Sequence, residues 1–281
     1  MFHTAQLLRG LMLPSPEAYC KTFATIYYFI GVTARASLGI FPCREVQLNT
    51  NDIEYNLSRA EEMIQEALQR SREPNRQVRI MAVTKTHSAE VVKMALKAGV
   101  KLIGENRVSE GGRKVRELGR ESGEFHMIGP LHTKEVRQAV RDFHWIDALD
   151  RMKIAAEVAR RTVQKGKPQP GLLLEVNTSG EGSKHGFPPD EILLTDVLGE
   201  IGEMGLAVSG LLTVGPLGGT ERDVAGAFAR LRELRDELID QHDHDLAELS
   251  MGMSDDFPVA VREGATLVRL GRFLFGPRRT G

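Results

Sequence analysis

From Asn51 onward the apolar residues of this chain follow two alternating rhythms. A helical spacing comes first, at Ile53, Leu57, Ala60, Ile64, Ala67 and Leu68. It predicts a helix through Arg72, capped by Asn51 or Asp52 and ended by Pro74. Short apolar runs then alternate with amphipathic stretches. The runs predict strands at 78–85, 102–106, 124–129, 145–149, 171–178, 207–214, 247–252 and 266–271. Helical stretches fall between them, near 88–98, 109–120, 133–141, 151–165, 189–203, 223–240 and 256–263. Eight apolar strands joined by helical crossovers imply a parallel sheet, and eight is the count that closes a (β/α)8 barrel. The fold class is therefore α/β, a single TIM-type barrel with a leading N-terminal helix that plugs its bottom or packs beside it. A doubly wound sheet would want a glycine-rich turn after its first strand. Lys85-Thr86-His87-Ser88 stands there instead, so the barrel is preferred.

Residues 1–50 follow neither rhythm and are read as an extension of open structure and no assigned function, with the barrel at 51–281. Arg9 and Leu11-Met12-Leu13, interrupted by Pro14 and Pro16, are too weak for a signal peptide. The run from Phe23 to Phe41, broken by Gly31, Arg35 and Gly39, is a poor membrane span. A formal net charge of −1 over 281 residues, with signs mixed, gives no basic surface for nucleic acid. Both cysteines, Cys20 and Cys43, precede Asn51, so no disulfide framework holds the barrel, and a reducing cytoplasm is the expected location.

The first strand run, Arg79-Ile80-Met81-Ala82-Val83-Thr84-Lys85-Thr86, ends on a lysine. Period-two geometry puts Met81, Val83 and Lys85 on one face. An ammonium at the end of a buried strand is costly to desolvate, which favours a neutral amine able to form an imine with an aldehyde. To be half neutral near pH 7 its pKa must fall by about 3 units from ~10.4, which costs roughly 4 kcal/mol. The alternative is a strand-end lysine that snorkels to solvent.

Barrel chemistry gathers at the C-terminal strand ends. These ends carry Lys85, Glu105-Asn106, His126 with Gly129-Pro130, Asp147 to Asp150, Glu175 to Asn177, Thr213 to Pro216, Ser250 to Asp256, and Arg269 to Arg272. The last two loops are rich in small residues and precede helices, a pattern that cradles phosphate. An imine lysine at strand one and a phosphate site at strands seven and eight suit a phosphorylated aldehyde across the mouth. Pyridoxal phosphate is the first candidate.

These residues fall into motifs. Ala82-Val83-Thr84-Lys85-Thr86 resembles the lysine strand of the pyridoxal phosphate homeostasis proteins. The resemblance continues through Gly104-Glu105-Asn106, His126-Met127-Ile128-Gly129-Pro130-Leu131, Asn177 with Ser183-Lys184-His185-Gly186, and Gly210-Leu211-Leu212. It ends with Leu249-Ser250-Met251-Gly252-Met253-Ser254-Asp255-Asp256, Val268-Arg269-Leu270-Gly271 and Phe275-Gly276. It covers about residues 52–277 and implies a barrel of the alanine racemase N-terminal type with pyridoxal phosphate bound to Lys85. It also implies Arg269 near the pyridine nitrogen and phosphate contacts from Ser250, Ser254 and Gly271. Its implied partners are the cofactor itself and pyridoxal phosphate-dependent apo-enzymes, with no nucleic acid and no membrane, and a monomer is expected. Two positions depart from the pattern. Arg272 replaces a Thr or Ser after the strand glycine, exchanging a hydroxyl for a guanidinium. His185 replaces a Ser and reads as a solvated loop residue.

Each remaining candidate has a plainer reading beside the sharp one. Arg269 on an apolar strand is either a structural ion pair or a ligand contact. Asn106 and His126 either line the mouth near the cofactor or satisfy buried hydrogen bonds. Asp255 and Asp256 read as helix caps, Met251 and Met253 as packing, and Leu231, Leu234 and Leu238 as a core stripe. His242-Asp243-His244-Asp245 reads as a solvated linker rather than a metal site. An arginine facing the pyridine nitrogen disfavours its protonation and weakens the ring as an electron sink. The only tyrosine after residue 50 is Tyr55, on the leading helix and far from every strand end. The expectation is a carrier with little or no catalysis. The alternatives are an amino-acid racemase or lyase using Lys85 as base, and an aldolase-like barrel whose imine forms with substrate.

Overall fold

The computed structural model describes residues 48–182, 185–242 and 244–277. The extension through residue 47, with Cys20, Cys43 and the Phe23–Phe41 run, lies outside the described residues, as do Ser183, Lys184 and Asp243.

Helix α1 (Thr50–Leu68) is capped by Asn49 rather than Asn51 or Asp52. The Asn49 side chain accepts from the Asp52 amide at 3.1 Å, and the Asp52 carboxylate accepts from the Asn49 amide at 3.1 Å, a reciprocal capping box. The helix stops well before Pro74. The Ser71 hydroxyl and amide take the Leu68 carbonyl at 2.8 and 3.0 Å, diverting it from further helix. The helix packs beside the barrel, and Asn56 Nδ2 donates to the Leu274 carbonyl at 3.0 Å.

Eight strands follow: β1 (Arg79–Val83), β2 (Leu102–Glu105), β3 (Glu124–Met127), β4 (Trp145–Leu149), β5 (Gly171–Glu175), β6 (Gly210–Leu212), β7 (Glu248–Met253) and β8 (Leu267–Leu270). Each pairs in parallel with its sequence neighbours, and β1 pairs with β8, closing the barrel. The helices between them are α2 (Ala89–Lys97), α3 (Val108–Leu118), α4 (Val136–Asp142), α5 (Met152–Arg161), α6 (Glu191–Glu203), α7 (Glu221–His242) and α8 (Phe257–Arg262). A short α9 (Arg272–Phe275), which the apolar pattern does not announce, follows β8. None of these helices is long and apolar enough to cross a membrane.

The two strand faces separate as a period of two requires. Ala82, Ile103, Phe125, Met127, Ile146, Val268 and Leu270 join the core beneath the helices, together with the expected Leu231, Leu234 and Leu238 stripe. The opposite faces fill the barrel. There Met81, Leu102 and Leu267 form a separate apolar layer with Ile128 packed on it. At the foot, Arg79 pairs with Glu248 at 2.7 Å, and the Trp145 indole stacks on the His126 imidazole at 5.4 Å.

Trp145 fits only because its pairing partner on β5 is Gly171, where a Cβ would lie 2.3 Å from the indole. Gly171→Ala is expected to displace the ring and to destabilise the protein by about 1–3 kcal/mol, as overpacking does. Trp145 is the sole tryptophan, so a shifted emission maximum and a lower urea midpoint check this directly.

Candidate functional site

The C-terminal ends of the strands surround a cavity of about 380 Å3, within the ~300–1,000 Å3 range of small-molecule sites. Lys85, Asn106, Ser254, Arg269, Gly271 and Arg272 all line it, with Val83, Ile128 and Val214 among the apolar wall residues. Six of the eight candidate residues therefore meet in one place. His126 and Ser250 do not line it; both are fully buried and spend their polar atoms on neighbours.

Lys85 is half-buried at the end of β1, and the backbone on either side of it is pinned from α3. Lys114 is buried, and its ammonium donates to the Thr84 carbonyl at 2.8 Å, Glu105 Oε1 at 2.7 Å and Glu110 Oε1 at 2.9 Å. Those three acceptors use all three of its protons. Glu110 Oε1 also accepts the Thr86 amide at 2.7 Å. Thr84 and Thr86, the residues flanking Lys85, are thus both tied to Lys114, the second through Glu110. The bracket holds Thr86 at φ +69°, a left-handed conformation a threonine rarely adopts. Burial raises the Glu105 pKa and Lys114 opposes it. Burial would also raise Glu110, but Lys114 and the Thr86 amide bring it below the usual carboxylate range.

On β8, beside β1, Arg269 is buried, and both of its terminal nitrogens are directed at neighbours. Nη1 donates to the Ser250 carbonyl and hydroxyl, both at 2.8 Å, and Nη2 donates to the Thr213 carbonyl at 2.8 Å. Burial pulls its pKa down, while Asp147, Glu175 and Asp256 oppose the shift. The Ser250 hydroxyl, anticipated at a phosphate, is thus an acceptor that orients Arg269. Ser254 joins the last two strand ends: its hydroxyl accepts the Gly271 amide at 3.3 Å and the Phe273 amide at 3.1 Å. Within β7, where its pairing with β8 shifts register, Gly252 takes φ +92°, and a Cβ there would lie 2.6 Å from the Ala260 Cβ. Only glycine lets β7 fold so closely onto α8.

Several plainer expectations change here. Met253, read as packing, is 40% exposed and lines the mouth, whereas Met251 is buried. Asp256 stands at the N-cap position of α8 but caps no helix amide; its Oδ1 accepts from the Met253 amide at 2.5 Å. Asp255 pairs with Arg272. His185 is exposed, with Nδ1 3.4 Å from Asp150. Glu175 and Asp256 also line the cavity, and burial raises both of their pKa values. The sequence puts both at strand ends but singles out neither as a cofactor contact, since a carboxylate there gives no sign of what it faces.

Comparison with known proteins adds to this geometry. A family model described as the alanine racemase N-terminal domain matches residues 55–279. The pyridoxal phosphate homeostasis protein of Aquifex aeolicus is 38% identical over 224 residues, 79% of this chain and 97% of that protein. Its counterpart from Pseudomonas aeruginosa is 37% identical over 228 residues, 80% and 96% of the two. The solved structure of PipY from Synechococcus elongatus, with pyridoxal phosphate bound, superposes with a TM-score of 0.68 at 32% identity, covering 80% of this chain and 100% of that one.

Lys114→Met leaves Glu105 as an uncompensated buried charge and is expected to cost about 3–5 kcal/mol. Adding Glu105→Gln should recover part of that loss in urea denaturation. A second expectation concerns His126. Burial pulls its pKa down, but Asp147 at 2.9 Å and Glu124 at 3.2 Å outweigh it and push the pKa to about 9. A group raised in the folded state stabilises fully below its unfolded value of ~6.5 and loses that contribution as pH rises through the folded one. Stability should therefore fall between pH 6.5 and about 9, and His126→Asn should flatten that slope.

Proposed function

Because the chain belongs to the pyridoxal phosphate homeostasis protein family, we propose that it binds pyridoxal 5'-phosphate as a Schiff base of Lys85 and holds it as a carrier with little or no catalysis. The observation that carries this reading is the donor set of the cavity. The primary amine of Lys85 at the end of β1 shares the cavity with Arg269, the Gly271 backbone and Arg272 of the neighbouring β8 end and with Ser254 after β7. An anionic ring bearing an aldehyde fits that set.

When bound, the cofactor supplies an aldehyde carbon that condenses with amines and a ring that accepts electron density. Lys85 presents the amine, and the Lys114 bracket fixes where it points. Arg269 keeps a fixed positive charge at the cavity floor, which disfavours protonation of a ring nitrogen placed against it. Ser254 holds the last two strand ends in register, and Arg272 adds an exposed cation at the rim. Apo-enzymes that need the cofactor are the proposed recipients, the cytoplasm the proposed location, and a monomer the proposed state.

Carriage over turnover is supported by the cavity lining, which holds no tyrosine among the described residues. Among the described residues the one tyrosine is Tyr55, 65% exposed on α1 and not among the residues lining the cavity. One observation favours the racemase or lyase alternative. Glu175 and Asp256 line the cavity, and burial raises both of their pKa values, which favours the proton-carrying form of an acid/base.

Adding pyridoxal phosphate to the purified protein should produce a visible imine band, and Lys85→Ala should abolish it. A wild-type protein that shows no imine band as purified and gains none on addition would remove the proposal. Alanine racemisation at ordinary enzyme rates, roughly 1–1000 per second, would replace the carrier with the catalyst.

A further inference from the structure

A second cavity, of about 530 Å3, lies at the other end of the barrel. Its walls come from the turns that lead into β3 and β5, from α4 and from the end of α5, whereas the mouth is built at the strands' C-terminal ends. Arg120, Arg137, Arg141, Arg161, Lys165 and Lys167 line it with Val140 and Pro168, and no acidic residue does. That is a strong local excess of one sign in a chain whose formal net charge is −1.

Helix electrostatics accounts for part of it. Arg141 and Arg161 stand in the last turns of α4 and α5, where cations suit the helix dipole. Arg141 pairs with Asp142 at 2.7 Å and Arg161 with Glu157 at 2.7 Å. Those two carboxylates are already engaged, because Asp142 also takes Arg116 and Glu157 also takes Arg160. Arg120 donates to the Phe143 carbonyl. Arg137, Lys165 and Lys167 have no side-chain hydrogen bond or ion pair among the described residues. Three unpaired cations across one concave surface repel each other and concentrate anions from solution.

We propose that this groove binds a small anion carrying several linked phosphate groups. Its volume exceeds what a lone phosphate needs, and guanidinium forks match phosphate oxygens bidentately. Among the described residues no aromatic side chain lines it, so they offer no platform on which a nucleic-acid base would stack.

The test uses tripolyphosphate titrated calorimetrically into the purified protein at about 0.1 M ionic strength, where exposed charges still act over ~10 Å. One saturable site is expected, with orthophosphate binding much more weakly. Arg137→Ala/Lys165→Ala/Lys167→Ala should weaken it at least about tenfold, a tenfold change being ~1.4 kcal/mol. Lys93→Ala/Lys97→Ala, which removes exposed charge from α2, should leave it unchanged. All the substituted side chains are exposed, and an unchanged thermal transition would show that both variants fold. Lack of saturable binding, or an equal loss in the two variants, would overturn the proposal. So would a single-stranded oligonucleotide that binds more tightly and resists displacement by tripolyphosphate.

Discussion

One buried ammonium sets the geometry of the mouth. Lys114 spends all three protons on α3, β2 and the end of β1, so three elements that meet beneath Lys85 are tied to a single point. Such a group is costly to bury and is tolerated because each donor finds an acceptor. The return is positional. Backbone atoms before and after Lys85 are both fixed, the second in a left-handed conformation that a threonine would otherwise leave. The Lys85 side chain therefore extends from a fixed base, although its own residue sits in a turn.

The barrel interior shows the same economy at other depths. Arg79 meets Glu248 at the foot, His126 meets Asp147 and Glu124 above it, and Arg269 lies among Asp147, Glu175 and Asp256 below the cavity. An apolar layer of Met81, Leu102 and Leu267 occupies part of the same interior. Charge inside this barrel is arranged in opposed pairs and clusters, which lets a cation stand at the floor of the cavity. Ser250 illustrates the division of labour: its hydroxyl holds the arginine, and the cavity is left to the arginine's neighbours.

The fold was legible because each strand run is apolar and each crossover amphipathic; all eight strands form where the runs lie. The mouth was legible where chemistry breaks the pattern, as a lysine or arginine does on an apolar strand. Lys114 escaped for the opposite reason. It follows Glu110 by four positions on a helix, a spacing that reads as an ordinary solvent-side ion pair. Nothing local shows that Glu105 and the Thr84 carbonyl arrive from other elements. Asp256 misled in a similar way, since an acid before a helix reads as a cap until a competing amide, here that of Met253, is seen to take it. His126, offered either at the mouth or at buried hydrogen bonds, and Ser250, expected at a phosphate, both lie buried outside the cavity lining, because strand periodicity gives the face and not the depth.

Closure of the sheet has a consequence of its own. With β1 bonded to β8, each of the eight strands has a neighbour on both sides, and none offers a row of free amides and carbonyls. An open sheet would carry two such edges, each a template for any extended chain that passes. This barrel can meet other macromolecules without that indiscriminate adhesion. Recognition is left to loops and side chains, which can be specific and reversible.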